Sequence, residues 1–332
     1  MTDPLSAHAP GELSGSPGKG RSNLSLALLL AGGLIVLLVV PLYLNSYWLR
    51  VLTQVLMVAV LASSWNVIAG ICGYFSFGNV VFLGIGAYTT AVLMSQFDVP
   101  FLVTIPLGGI SAVIFALLTG LPLLRLRGHY FAIATLGINL GMKETVSNLD
   151  WTGGGKGIWL QIPDMEPHSF SLYVFYMMSA MLAVTVAGVM LLLRSRAGYA
   201  MRAIRGNEIS AAVLGIDTTF YKVLAFAISA LFSGMAGSIY IFWVGYIEPG
   251  QAFDMGLNIQ FVMAGLLGGL GTVIGPVIGA AILQLFSELI WSHFLQIHLA
   301  VLGVLIILVV LFLPSGLVSL FARQRKTIGK RT

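Results

Sequence analysis

Charge is distributed along this chain so sparsely that it dictates what the chain can fold into. Asp, Glu, Lys and Arg are absent from seven long intervals, 22–49, 51–97, 99–124, 167–193, 223–247, 255–287 and 289–322. A helix crosses a bilayer with about 20 apolar residues, and lipid admits only segments that satisfy their own backbone hydrogen bonds. Charged residues make up 9% of the chain and hydrophobic ones 58%, against about 25% charged in soluble domains. The fold class is therefore all-α, a polytopic membrane helix bundle.

The interval 51–97 is too long for one crossing and must turn back at Gly70, Gly73 and Gly78. The pattern predicts about ten transmembrane helices, short or re-entrant segments included, near 24–44, 51–69, 74–96, 101–122, 129–147, 170–193, 223–245, 258–270, 275–293 and 297–320. Residues 1–22, rich in Pro, Gly and Ser, read as a disordered tail. Residues 23–320 read as the membrane domain and 321–332 as a basic tail. The apolar run 24–44 is longer than the apolar part of a signal peptide and ends in no small-residue cleavage site, so it reads as the first span.

Lys and Arg concentrate on the cytoplasmic side of membrane proteins. An N-terminus in the cytoplasm places Arg125, Arg127, the 194–222 loop and the terminal Arg323, Arg325, Lys326, Lys330 and Arg331 on that side. Asp98, Asp150, Asp164, Glu166, Glu248 and Asp254 then fall outside. The expected location is the plasma (inner) membrane with both termini cytoplasmic. This parity requires a break at GGLGTVIGP, 268–276. The helix before it reaches only about 20 Å of a core about 30 Å thick. A second crossing and a re-entrant hairpin from the outside both keep the parity. A repeat of five spans and five would be inverted.

No catalytic constellation appears. His8, His129, His168, His293 and His298 show no metal-ligand spacing, and no metal or cofactor is expected on this chain. In GGGKG, 153–157, Lys156 is followed by Gly157 rather than Ser or Thr and no strand precedes it, so it reads as a turn and not a phosphate loop. Cys72 reads as a small buried hydrophobe. The net charge of +5 does not indicate nucleic acid, because the basic residues sit at the ends of apolar spans. Lys143, Glu144 and Glu288 lie near helix ends, where interfacial placement is the default. They give little support to an ion-coupled secondary transporter, the competing reading; a polytopic membrane enzyme or scaffold is a third. Glycine-rich runs at 69–88 and 264–281 fit both close helix packing and broken helices along a solute pathway. Tyr130, Thr135 and Asn139 place polar groups inside an apolar segment and are candidate pathway residues.

The long polar interruption, Arg194 to Lys222, holds five of the seventeen Lys and Arg residues. Asn207 is placed to cap a helix starting at Glu208, and Gly215 to end it in a left-handed turn. Ala211, Ala212, Val213 and Leu214 give that helix a small, apolar surface for a groove. Arg202 and Arg205 flank it and are placed to pair with acids on a partner.

Five motifs resemble one family in order. AGICGYFSFGNVVFLGIGAYTTA (69–91), GHYFAIATLGI (128–138), WTGGGKGI (151–158), RAGYAMRAIRGNEISAAVLGID (196–217) and GLLGGLGTVIGPVIGAA (265–281) resemble the permease subunits of branched-chain amino-acid ABC importers. The second and fourth are LivM-like rather than LivH-like. The resemblance implies a type II ABC-importer-like bundle in membrane lipid. Its expected partners are a second permease subunit, two cytoplasmic ATPase subunits that use the ATP, and a periplasmic solute-binding protein. Glu208, Ala211, Ala212 and Gly215 resemble the coupling-helix pattern of such importers, so Arg202, Arg205, Glu208, Ala211, Ala212 and Gly215 are the expected ATPase-coupling residues. Gly155 and Lys156 depart from the family's usual turn, and sister families carry urea, short amides or aromatic acids.

Overall fold

The computed structural model describes residues 40–126, 128–161 and 164–293, together with Gly303. The predicted span at 297–320, all but the end of that at 24–44, and both predicted tails lie outside the described residues. Of the unit that ends at Leu44, Val40–Tyr43 make a 3-10 turn. The body begins at Asn45.

Eleven α-helices are described: α1 Ser46–Asn66, α2 Val80–Phe97, α3 Phe101–Leu123, α4 His129–Ser147, α5 Pro167–Arg194, α6 Arg196–Gly206, α7 Glu208–Val213, α8 Thr218–Val244, α9 Pro249–Ala252, α10 Met255–Gly268 and α11 Gly275–His293. Five are long and apolar enough to cross a membrane: α1 with its π-helical extension to Ile71, α2, α3, α5 and α8. The protein is an all-α polytopic membrane bundle, as its charge pattern predicts.

Polar side chains set the helix starts. Asn45 caps α1 by accepting from the Trp48 amide at 3.1 Å. Asp217 caps α8 through Phe220 (3.0 Å), and Asp254 caps α10 through Gly256 and Leu257 (3.0 and 3.1 Å). Each satisfies amides that have no partner within the helix. The breaks fall where glycine predicts them. A π-helical turn, Val67–Ile71, closes α1 before an irregular stretch leads to α2, and α10 ends at Gly268.

Helix α1 is the central post, 89% buried over its most apolar window, whereas α5 at 28% is peripheral. Helix α8 packs most extensively on α3 and α2. Glycine permits this approach: a Cβ on Gly86 would lie 2.0 Å from the Gly234 carbonyl oxygen, and one on Gly237 2.0 Å from that of Leu83. Hydroxyl and amide contacts between helices add to it, with Ser64 to Ser233 at 2.7 Å and Asn79 Nδ2 donating to Ser229 Oγ at 2.6 Å. Phe101 stacks on Phe242 at 3.8 Å between ring centres. The outer face of α3 exposes Leu102, Ile110, Ile114, Leu118 and Leu121, the apolar surface a helix presents to lipid.

At the end of the bundle where α8 finishes, strands β1 (Ile158–Trp159) and β2 (Tyr246–Ile247) pair antiparallel, Ile158 opposite Ile247. The GGGKG turn leads into β1 rather than a helix, which fits a structural turn. Tyr246 Oη donates to the Lys156 carbonyl at 3.0 Å and lies 3.3 Å from Glu248 Oε2. Partial burial and this carboxylate hold the Tyr246 phenol above its ordinary pKa.

Candidate functional site

The loop between α5 and α8 is built from two helices rather than one. Ser195 caps α6, accepting from the Gly198 amide at 3.3 Å, and α6 buries Gly198, Ala200, Met201 and Ile204. Arg202 turns back along this helix. Its Nε donates to the Gly198 carbonyl at 3.2 Å, its Nη2 to that of Leu193 at 2.9 Å, and its guanidinium lies 4.5 Å from the Tyr199 ring centre.

Helix α7 follows with both caps in the expected places. Asn207 Oδ1 accepts from the Ser210 amide at 3.0 Å. Gly215 adopts φ 84°, a left-handed conformation that favours glycine. Its amide donates to the Ala212 carbonyl at 3.0 Å, and that of Ile216 to Ala211 at 3.1 Å. These two bonds are the Schellman pattern that satisfies the last carbonyls of a helix. Of the expected coupling residues, Ala211 is 2% exposed and anchors α7 on the bundle. Ala212 faces outward. Beside it Ile209, Val213 and Leu214 are exposed, the last two by 82% and 79%.

Arg205 and Glu208 reach into the bundle. Arg205 Nη1 donates to the carbonyl of Gly70 in the π-helical turn. Glu208 lies 2.7 Å from Lys222 Nζ, the one ion pair among the described residues, and accepts a second hydrogen bond from Tyr74 Oη. Lys222 itself is 4% exposed and also donates to the Leu124 carbonyl at 3.1 Å.

The two glycine breaks meet beneath this loop. Asn66 Oδ1 accepts from the Gly271 amide at 2.8 Å, while its Nδ2 donates to the Thr272 carbonyl at 2.9 Å. One buried amide thus joins the end of α1 to the turn between α10 and α11. Replacing Asn66 with Ala orphans both backbone groups at about 1–3 kcal/mol for each. The expected outcome is a melting temperature several degrees lower for the detergent-solubilised protein, read by a thiol-reactive or tryptophan-fluorescence unfolding assay.

The three candidate pathway residues separate. Thr135 and Asn139 share the inward face of α4. Thr135 Oγ1 accepts from the Phe77 amide at 3.0 Å, and Asn139 Nδ2 donates to the Phe253 carbonyl at 3.0 Å. Tyr130 lies exposed on another face of the same helix. A cavity of about 400 Å3 lies between the stretch after the π-helical turn, the start of α4 and α7, lined by Gly73, Tyr74, Phe75, Phe77, His129 and Glu208.

Sequence reasoning missed Lys222, Tyr74 and Asn66. The signal for Lys222 was Asp217: a cap there starts the helix at Thr218 rather than Val223 and puts Lys222 inside its second turn. For Asn66 it was an amide in the middle of a charge-free interval, next to glycine.

No cluster of three or more His, Cys, Asp or Glu capable of holding a metal occurs among the described residues. Membrane-length helices interrupted by glycine, joined by a doubly capped loop helix, define the class: a polytopic membrane bundle. The chain belongs to the family described as the permease component of the branched-chain amino acid transport system, whose model matches residues 47–310. It is LivM-like. It is 30% identical over 338 residues to the high-affinity branched-chain amino acid transport system permease protein LivM of Escherichia coli, covering 93% of this chain and 79% of the relative. The LivM of Salmonella typhimurium is 29% identical with the same coverage. The autoinducer 2 import system permease protein LsrC of Klebsiella pneumoniae is 31% identical over 191 residues, 53% of this chain and 54% of its own length. No solved structure matches the chain. The family is one of ABC transport permeases.

Proposed function

We propose that this chain is a membrane subunit of an ATP-driven importer of branched-chain amino acids, working in the plasma (inner) membrane with both termini cytoplasmic. A second permease subunit completes the pathway, two cytoplasmic ATPase subunits bind and hydrolyse the ATP, and a periplasmic protein delivers the solute. This chain binds no cofactor. The membrane domain is 23–320, between an N-terminal tail at 1–22 and a basic tail at 321–332, and 194–222 holds the coupling elements. Tyr130, Thr135 and Asn139 on α4 are the proposed pathway residues.

The observation that carries this reading is the outward face of α7. Ile209 and Val213, with Leu214 at the C-cap, stand exposed on a six-residue helix that is capped at both ends and seated through Ala211. On this reading the apolar knob they form seats in a groove of the ATPase. Closure of the ATPase dimer pushes α7, and α5 and α8, which flank the loop, carry the motion into the bundle.

Co-purification tests the assignment. A tagged chain co-expressed with the ATPase, second-permease and binding-protein subunits of such an importer retains the ATPase in stoichiometric amount. A chain that purifies with the second permease but without ATPase overturns it. Uptake by the assembled complex, competed with leucine, urea or a short amide, separates the branched-chain reading from the sister solutes that the Gly155–Lys156 departure brings in. Leucine is expected to compete.

A further inference from the structure

The Lys222–Glu208 pair sits apart from the exposed face of α7 and carries a role of its own. Burying a cation and a carboxylate together costs several kcal/mol per ion in desolvation, and an ion pair offsets this only with good geometry and added hydrogen bonds. The knot has both. Lys222 Nζ reaches Glu208 Oε1 at 2.7 Å, the Leu124 carbonyl at 3.1 Å and Tyr74 Oη at 3.3 Å. Its ammonium also lies 4.9 Å from the Tyr74 ring centre, and Tyr74 Oη donates to the other oxygen of Glu208.

Four elements are tied at this one point: α7 through Glu208, the second turn of α8 through Lys222, the end of α3 through Leu124, and the segment after the first glycine break through Tyr74. Three residues before Glu208, Arg205 holds the Gly70 carbonyl on the other side of that break. A Cβ on Gly271 would lie 2.5 Å from Arg205 Nη1, so the second break touches the same guanidinium. Tyr74 and Glu208 also form the wall of the 400 Å3 cavity that faces α7. A displacement of α7 therefore cannot leave the cavity wall where it was.

We infer that Glu208, Lys222 and Tyr74 form a strut that transmits the movement of α7 to the glycine-broken segment and so to the cavity. Glu208 on this account acts from inside the bundle as a positioning residue, not as a contact for the ATPase. The inference rests on the proposed coupling role of α7.

The test uses the complete complex in proteoliposomes, with both permeases, the ATPases and the binding protein, and reads solute taken up per ATP hydrolysed. Glu208→Gln and Lys222→Met are expected to lower this ratio about tenfold, the scale of an ordinary coupling free energy. The exchange Glu208→Lys with Lys222→Glu is expected to recover most of it. Tyr74→Phe removes one hydroxyl without a change of shape or charge; it loses the bonds to Glu208 and from Lys222, and a fall of about tenfold is expected, the scale of a hydrogen bond to a charged group. Ratios within twofold of the unmodified complex in Glu208→Gln and Tyr74→Phe overturn the strut. So does loss of ATPase from an inserted Glu208→Gln permease, because that places the carboxylate at the docking surface. If the unmodified complex neither retains ATPase nor takes up solute with ATP, the coupling reading itself fails, an outcome distinct from either.

Discussion

Changing Val213 and Leu214 together to Glu is expected to strip the ATPase subunits from the purified complex and to abolish uptake, while the permease still inserts and accumulates. Both side chains are almost fully exposed, so the bundle loses no packing when they change. A partner groove that receives them would instead have to bury two carboxylates without counterparts. Central apolar anchors of an interface are worth about 2 kcal/mol or more each, and 1.4 kcal/mol is tenfold in affinity. Two of them imply at least a several-hundredfold weaker association, enough to empty a complex during purification. Retention of stoichiometric ATPase by this double variant, measured by densitometry of the eluted complex, would remove α7 as the docking element. The Schellman turn gives a smaller companion effect: Gly215→Val forces a β-branched residue toward φ 84° and should loosen the end of α7 without touching the exposed face.

Gly86→Leu is expected to prevent the bundle from folding at all. The position sits where α2 crosses α8, and the first added carbon would already stand 2.0 Å from the Gly234 carbonyl oxygen. Backbone on both sides leaves nothing flexible to yield. Overpacking usually costs about 1–3 kcal/mol; here two long helices must separate, and the loss should exceed about 4 kcal/mol, in the diagnostic tail of single substitutions. The readout is the monodisperse fraction of a fluorescent fusion on size exclusion, expected to fall to background. Gly137→Ala is the control. It lies on the exposed face of α4, where an added Cβ meets nothing within 4 Å, and should leave the monodisperse fraction unchanged. Equal behaviour of the two variants would mean that the α2–α8 crossing is not where glycine matters for folding.

The spans were legible because the bilayer imposes one rule, and this chain obeys it: charge stops where lipid begins. As helices, 101–123, 129–147 and 275–293 match the predicted 101–122, 129–147 and 275–293 almost residue for residue, although of the three only 101–123 is among those long and apolar enough to cross a membrane. Their starts follow Pro100, Gly128 and the glycine-rich turn before Gly275. Capping is also local, so Asn207 and Gly215 announced α7 from eight residues apart. Helix α6 was harder to see because Arg196, Arg202 and Arg205 give RAGYAMRAIRG the look of a loop. Its buried face consists of Gly198, Met201 and Ile204, three residues apart, with Ala200 beside them.

The partners of the charged residues were not legible. Arg205 finds Gly70 and Lys222 finds Tyr74 across well over a hundred residues of chain. No local rule distinguishes an arginine that snorkels to water from one that pins a broken helix. The glycine runs posed the alternative of packing or pathway, and close approach is what the glycines here share. Gly86, Gly234 and Gly237 mediate helix contact, whereas Gly70 and Gly271 lie at the breaks beside Arg205.

The source of energy separates an ATP-driven importer from an ion-coupled carrier. In proteoliposomes holding the two permeases, the ATPases and the solute-loaded binding protein, radiolabelled leucine should accumulate only when ATP is enclosed with the ATPase subunits. It should stop when those subunits are omitted or carry an inactive nucleotide site, and collapsing proton and sodium gradients should leave it unchanged. Leucine accumulation that persists without the ATPase and follows an imposed ion gradient would contradict the account and make the chain an ion-coupled carrier.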